Sequence, residues 1–188
     1  MLTSSFKQLR DAGACKARYK HLAKALGGIT AYGRTKPITF AQILEHNGVE
    51  DVLWALFKVN EVDEAKAVVV EWACLCAERS LVVFEKEFPK DKRPREAIKA
   101  TRQYIQGNIT LEKLKEYMNA AIWAAESARW ASPMWAAESA SRAAACATRS
   151  ACWSTWAAES AEAAARAIGS NEKQWQQEKL LELLTHHD

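Results

Sequence analysis

The chain has 188 residues, of which 49% are apolar and 26% charged, a balance typical of an ordinary globular protein and not of a disordered or membrane-embedded one. Its 26 basic and 23 acidic residues are mostly interleaved and leave a formal net charge of +3, which predicts no binding to duplex DNA. No run of apolar residues is long enough for a membrane span or, in residues 1–10, for a secretory signal. We therefore expect a cytoplasmic protein that makes no membrane contact and folds as a single domain over residues 1–188.

Proline and glycine fall at the ends of segments in which apolar residues recur at helical spacing, so the predicted fold class is an all-α, multi-helix bundle. Thr39, Asp91 and Thr110 can cap helices, while Pro89 and Gly107 can end them. The ten residues 29–38 have the pattern of a loop. In chain order, the predicted helices span about 5–26 with an interruption near Gly13, 40–47, 49–59, 62–88, 92–106 and, after the Thr110 cap, a long helix through 131. The repetitive sequence from 120 to 168 is expected on two or three antiparallel helices, of which this long helix is the first, and a last amphipathic helix lies within 170–188.

The expected single domain has four stretches. Residues 1–60 form short N-terminal helices, 61–119 the central helices, 120–168 an alanine- and tryptophan-rich repeat region, and 170–188 a C-terminal helix. The helix over 62–88 is expected to be central, because its apolar residues fall three and four apart and form a broad face.

The cysteines number five, an odd count, and Cys74 and Cys76 are too close on a helix to form a disulfide comfortably. They also lack a second Cys or His pair at the spacing of zinc ligands. We expect free, buried thiols, and neither a metal nor a cofactor.

A cluster of cations marks the predicted start of the helix after Pro89. Lys92, Arg93 and Arg95 occupy a helix N-terminus, where the helix dipole disfavours positive charge. Two interpretations remain open. In one, the arginines pair with carboxylates such as Glu85, Glu87 or Asp91 and fasten the helix corner. In the other, they form a site for a phosphate or carboxylate ligand together with the free N–H groups of the first turn.

A hexapeptide, Trp-Ala-Ala-Glu-Ser-Ala, recurs at 123–128, 135–140 and 156–161. The helical spacing places its Trp, Glu and Ser on one face. That face either lies at the surface or lines a polar cavity, in which the carboxylates would need arginine partners. Alanines let helix axes approach closely, and each Trp can fill the space that the small alanines leave. Alternatively, a Trp ring can be a surface on which a nucleobase stacks. The candidate ligand residues of the repeat are Trp123, Glu126, Trp135, Glu138, Trp156 and Glu159.

The four histidines are scattered, and no phosphate-binding loop, dinucleotide fingerprint or metalloprotease motif is present. We therefore expect no enzymatic activity and name no catalytic residue.

Three segments carry a family resemblance: NGVEDVLWAL at 47–56, WACLCAE at 72–78 and DKRPREAI at 91–98. With the tail after Ala120, they resemble the immunity proteins with an Imm-5-like domain over about residues 40–168. The resemblance implies a cytoplasmic protein of bacterial or phage conflict that protects by binding.

Two functions follow as hypotheses. The first is an immunity-type inhibitor that captures a toxin or defence effector protein through a surface patch. The second is a phage anti-defence sponge that sequesters a phosphorylated or ADP-ribose-like nucleotide signalling molecule in a pocket. Whether the chain forms a homo-oligomer is left open by the sequence, because alanine-rich helix faces can pair between chains as well as within one chain.

Overall fold

A computed structural model describes residues 2–59, 63–131, 135–151, 155–169 and 171–185. The predicted all-α class is confirmed, since these residues form helices and one antiparallel pair of two-residue strands. The strands are β1 (Thr3–Ser4) and β2 (Ile38–Thr39). The helices are α1 (Phe6–Asp11), α2 (Lys16–Ala25), α3 (Ile29–Tyr32), α4 (Phe40–Asn47), α5 (Val49–Lys58), α6 (Asp63–Glu87), α7 (Arg93–Ile105), α8 (Leu111–Ala131), α9 (Trp135–Ser150), α10 (Thr155–Ile168) and α11 (Glu172–Thr185).

The chain divides into two compact units. The first takes in the described residues up to Val68 together with 177–185, and the second takes in the described residues of 69–176. The expectation of one domain over 1–188 stays a prediction.

In the first unit, Phe6 is fully buried, and its ring meets Tyr19 and Tyr32 edge to face at centroid distances of 5.6 and 5.7 Å. Tyr32 belongs to α3, so the prediction of a loop over 29–38 is wrong at its two ends. A four-residue helix and the strand β2 occupy these ends, and β2 pairs with β1 through Ser4 opposite Ile38. Pairs this short have no periodicity that a sequence pattern can show.

Two helix ends in this unit lie at the capping residues predicted from the sequence. The Thr39 hydroxyl accepts the backbone N–H of Gln42, whose side chain in turn accepts the Thr39 N–H, a complete capping box. Gly48 ends α4 with a φ of 85°, a conformation that a side chain would disfavour. The break near Gly13 separates α1 from α2 as predicted.

In the second unit, the fully buried Trp72 of α6 donates its indole N–H to the Gln176 carbonyl at 2.8 Å. The guanidinium of Arg102 on α7 makes four hydrogen bonds of 2.6–2.9 Å to the carboxylates of Glu71 and Glu78 on α6. Both carboxylates raise the pKa of Arg102. These contacts fasten α7 and the start of α11 to α6.

The alanine-rich helices α8, α9 and α10 pack through small side chains. Ala121 of α8 lies in a buried cluster with Ala97 of α7 and Ala145 of α9. The buried Ser160 hydroxyl of α10 lies 2.9 Å from the Ala143 carbonyl and 3.1 Å from the Ala73 carbonyl. A hydroxyl in this position bridges two neighbouring helices that alanines allow to come close.

The thiols that the structure describes are free. Cys74 and Cys76 are buried, Cys146 is half-buried and Cys15 is exposed, while Cys152 lies outside the described residues. Burial raises the pKa of Cys74, Cys76 and Cys146.

Over the five described ranges, no helix is both long and apolar enough to cross a membrane.

Candidate functional site

The predicted anion-binding residues begin where the chain enters α7. The Asp91 carboxylate accepts the backbone N–H of Arg93 at 3.1 Å. It also accepts two hydrogen bonds from the Arg93 guanidinium: Nε donates to Oδ1 at 2.9 Å, and Nη2 donates to Oδ2 at 2.6 Å. Asp91 therefore accepts one N–H of the first turn of α7, but the prediction that it is the capping residue is wrong, because Lys92 occupies the N-cap position.

Arg95 makes the second ion pair of this corner. Its Nε and Nη2 donate to the two oxygens of Glu85 on α6 at 2.5 and 2.8 Å. Hydrogen bonds from the arginines hold the pKa of Glu85 and Asp91 below their usual range. These ion pairs are those expected of a fastened helix corner, and an anion bound there would share each guanidinium with a carboxylate. Ligand binding by Lys92, Arg93 and Arg95 stays a prediction.

The three copies of the hexapeptide lie on three different helices, α8, α9 and α10. In the first copy, Trp123 is 63% exposed and Glu126 is exposed. In the second, Glu138 is half-buried, with Arg142 Nη1 at 3.6 Å from its Oε1. The side chain of Trp135 lies outside the described residues.

In the third copy, Trp156 is half-buried and Glu159 is exposed. Ser160 of this copy is buried, whereas the corresponding Ser127 of the first copy is exposed. The copies therefore share a helical sequence but not an environment. Neither of the two cavities described below is lined by the predicted glutamates.

One exposed face of α8 combines tryptophan and carboxylate side chains. Trp123 and Trp130 are 63% and 87% exposed, and their spacing of seven residues puts them on the same side of the helix. Glu126 lies between them, and Glu116 lies one heptad before Trp123 with its side chain 66% exposed. We call Glu116, Trp123, Glu126 and Trp130 the acidic tryptophan face.

The charges of this face are only partly neutralised. Lys113 Nζ lies 2.6 Å from a carboxylate oxygen of Glu116. Glu126 has no ion-pair partner among the residues that the structure describes. Trp123 and Glu126 are among the residues predicted from the sequence, whereas Trp130 is not, although its spacing of seven residues from Trp123 is a signal that could have revealed it.

A second feature is a groove of about 210 Å³ between α8, α9 and α10. Arg149 of α9 places its guanidinium carbon 4.4 Å from the ring centroid of Trp156 on α10, and its Nε donates to the Met118 sulfur at 3.4 Å. We call this feature the Trp156 groove. Its lining residues are Leu111, Leu114, Lys115, Met118, Thr148, Arg149 and Trp156.

The groove brings together one predicted ligand residue, Trp156, and two cations that the sequence analysis did not select for ligand binding. These cations are Arg149 and Lys115. No local sequence signal marks them, because Arg149 and Trp156 lie on two different helices, α9 and α10, with residues 151–154 between them.

A larger cavity, of about 290 Å³, lies in the first unit. Arg18 lines it and binds the carboxylates of Asp51 at 2.8 Å and Glu50 at 2.7 Å. Cys15 at its rim has a lowered pKa, because the backbone N–H groups of Arg18 and Ala17 stabilise the thiolate. The two carboxylates neutralise its arginine, so this cavity is a weaker candidate for an anion than the Trp156 groove.

Within the described part of the chain, no three or more His, Cys, Asp and Glu side chains are grouped so that they could hold a metal ion.

Comparison with known proteins identifies one family. The model of the family described as "Imm-5 like putative immunity protein" matches residues 61–183, a stretch that contains every sequence-predicted site residue. No curated protein matches the chain, and no solved structure matches it.

Proposed function

We propose that this chain, which belongs to the Imm-5 like immunity protein family by its match over residues 61–183, is a non-catalytic inhibitor that captures a toxin or defence effector protein stoichiometrically. The family resemblance noted in the sequence is confirmed, and an immunity-type role is consistent with it. Direct capture of a protein, the bacterial or phage setting and the cytoplasmic location belong to the proposal.

The observation that carries the proposal is the acidic tryptophan face. Tryptophan is enriched among the residues that dominate binding energy at protein interfaces, yet two of them stand largely in solvent here, at 63% and 87% exposure. Large exposed apolar side chains rimmed by polar groups are typical of protein interaction sites. The face therefore has the composition of an interface that a partner completes.

The charges of the face indicate the chemistry of that partner. The unpaired Glu126 lies three residues after Trp123 and four before Trp130, so a single guanidinium can bind its carboxylate and stack on an indole. Glu116 extends the negative charge along the same side of α8. We propose that the captured protein presents a basic surface, with arginine or lysine side chains, to this face.

The experiment is a neutralisation screen followed by titration. The chain is co-expressed with bacterial toxins and defence effectors, and any protein it neutralises is purified and titrated into it by calorimetry. We expect one-to-one binding that weakens about thirtyfold in Trp123→Ala and in Trp130→Ala, the loss expected of a hot-spot residue. Glu126→Gln should weaken binding to a lesser degree and reduce its dependence on salt.

Val82→Ala is the matched control, because Val82 is 66% exposed on α6 and lies outside the acidic tryptophan face. The control should bind as the wild type does. Failure to neutralise any toxin or effector, or unchanged binding by both tryptophan variants, would refute the proposal.

The second candidate function is capture of a phosphorylated or ADP-ribose-like nucleotide. Its support is the cationic and aromatic lining of the Trp156 groove, because such surfaces stack bases and attract phosphates. Turnover of a bound nucleotide beyond one equivalent would contradict the non-catalytic part of the proposal.

A further inference from the structure

The described residues of the second unit form two arginine–tryptophan stacks, which differ in how the arginine is neutralised. Arg79 lies 4.6 Å from the ring centroid of Trp175, and its Nε donates at 2.7 Å to the fully buried carboxylate of Glu172. Arg149 lies 4.4 Å from the ring centroid of Trp156. Among the described residues, its guanidinium meets only that ring and the thioether of Met118.

The guanidinium of Arg149 is a charged hydrogen-bond donor that has no anion as partner among the described residues. A guanidinium has five N–H donors, and a thioether sulfur is a weak acceptor. Arg93, Arg95, Arg102 and Arg79 each bind a carboxylate with at least one hydrogen bond. Arg149 is half-buried and stacked, so its planar fork is held in place with N–H groups unused by any described carboxylate.

The surroundings of Arg149 add charge of the same sign. Lys115 lines the same groove, and none of the described lining residues carries a carboxylate. Two cations facing one cavity repel each other unless an anion lies between them, and Arg and Lys are the side chains that bind phosphate best.

The remaining lining of the groove suits a flat ring. Trp156 supplies a half-buried indole, and Met118 supplies polarisable sulfur next to the leucines of α8. Aromatic rings and thioethers pack favourably on a nucleobase or another planar ring. The groove, of about 210 Å³, is smaller than the ~300 Å³ at which pockets for whole drug-sized ligands begin, so a nucleotide bound there would place its base and its phosphate in the groove and leave its other atoms in solvent.

From this geometry we infer that the Trp156 groove is a binding site for a nucleoside phosphate, with Lys115 and Arg149 on the phosphate and Trp156 and Met118 against the base. The inference deepens the second candidate function by naming the site and the ligand class, and it replaces Arg93 and Arg95 as the phosphate-binding residues. It does not depend on capture of a protein by the acidic tryptophan face.

The test is calorimetric titration of the full chain with AMP, CMP, GMP, UMP and ADP-ribose, each beside its uncharged nucleoside. At least one nucleotide should bind, and its nucleoside should bind at least tenfold more weakly. Arg149→Gln and Lys115→Gln should each weaken nucleotide binding about tenfold, the loss expected of one charge-assisted hydrogen bond.

Matched controls lie on the same helices. Lys113→Gln on α8 and Arg142→Gln on α9 remove cations that pair with glutamates outside the groove, and both should keep wild-type affinity. Thermal melts verify folding of each variant. Lys115→Gln keeps the test decisive if Arg149→Gln unfolds, because Lys115 is exposed and outside the stack.

Three outcomes would overturn the inference: no nucleotide of the set binds at millimolar concentration, inorganic phosphate binds as tightly as the best nucleotide, or the controls lose affinity as much as the groove variants. Trp123→Ala and Trp130→Ala should leave nucleotide affinity unchanged. A failed nucleotide titration with intact capture of a toxin refutes only the groove, and the reverse result refutes only the protein-binding face.

Discussion

The guanidinium of Arg95 and the carboxylate of Glu85 meet through two parallel hydrogen bonds, of 2.5 Å from Nε and 2.8 Å from Nη2. The pair joins the first turn of α7 to the last turns of α6. Both side chains are partly exposed, at 37% and 22%, so water screens much of their attraction. The pair therefore positions the helix corner at a modest gain in stability.

A double-mutant cycle measures that gain. Arg95→Ala, Glu85→Ala and the double variant are compared by urea unfolding. We expect a coupling free energy of about 0.5 kcal/mol, the range of a partly exposed ion pair with good geometry. Lys99 and Glu96, an exposed i,i+3 pair of α7, form the matched control and should couple less. If the effects of the two substitutions on the free energy of unfolding were strictly additive, the ion pair between Arg95 and Glu85 would contribute nothing to stability.

Acid should weaken the protein through the same corner. The pKa values of Glu85 and Asp91 lie below their ordinary values of 4.5 and 3.8. A depressed folded-state pKa contributes stability that is complete above the unfolded-state pKa and is lost as pH falls through the folded-state pKa. The free energy of unfolding should therefore decrease from about pH 5 to pH 2, as followed by urea titrations at each pH.

Replacing both arginines of the corner should flatten that pH dependence. In Arg93→Gln with Arg95→Gln, the two carboxyl groups lose the guanidinium hydrogen bonds that are the largest cause of their lowered pKa, and Asp91 keeps only the backbone N–H of residue 93. The pKa of each carboxyl group in the folded state should therefore move towards its value in the unfolded state. An unchanged pH profile in this variant would show that other carboxylates dominate the acid response.

The alanine packing of α8 should reject a larger side chain. Ala121 is fully buried against alanines of α7 and α9, so Ala121→Leu must separate these helices and should lower the free energy of unfolding by about 1–3 kcal/mol. Ala131, exposed at the end of the same helix, gives the control Ala131→Leu. Equal stability of both variants in thermal melts would show that the helices repack without cost.

Thiol labelling should separate the cysteines by burial. Cys15 is exposed, and its pKa is lowered by backbone N–H groups, so N-ethylmaleimide should label it first at neutral pH. Cys74 and Cys76 are buried, with raised pKa values, and should react only after unfolding. Peptide mass spectrometry of timed samples checks the order, with Cys15→Ser as control. Labelling of Cys74 at the rate of Cys15 would be incompatible with the burial described.

Helix ends were the most predictable part of the fold, because their signals are local. The caps at Thr39 and Thr110 each form a hydrogen bond to a backbone N–H three residues on, within one turn of chain. The strand Ile38–Thr39 was missed because its partner, Thr3–Ser4, lies far away in sequence. Two paired residues on each side are too few to show the alternation by which strands are recognised.

By itself, the sequence determined that this protein is helical, where most helices begin and end, and that it resembles the Imm-5 like family whose model it matches. Apolar spacing and helix caps depend on residues that are close together in the chain, so they can be recognised without knowledge of the tertiary structure. Only the tertiary structure decided which charged groups are neutralised. Arg95 meets Glu85 and Arg79 meets Glu172, whereas no described carboxylate meets Arg149. A charge pair depends on distances between helices, and residues far apart in the chain set those distances.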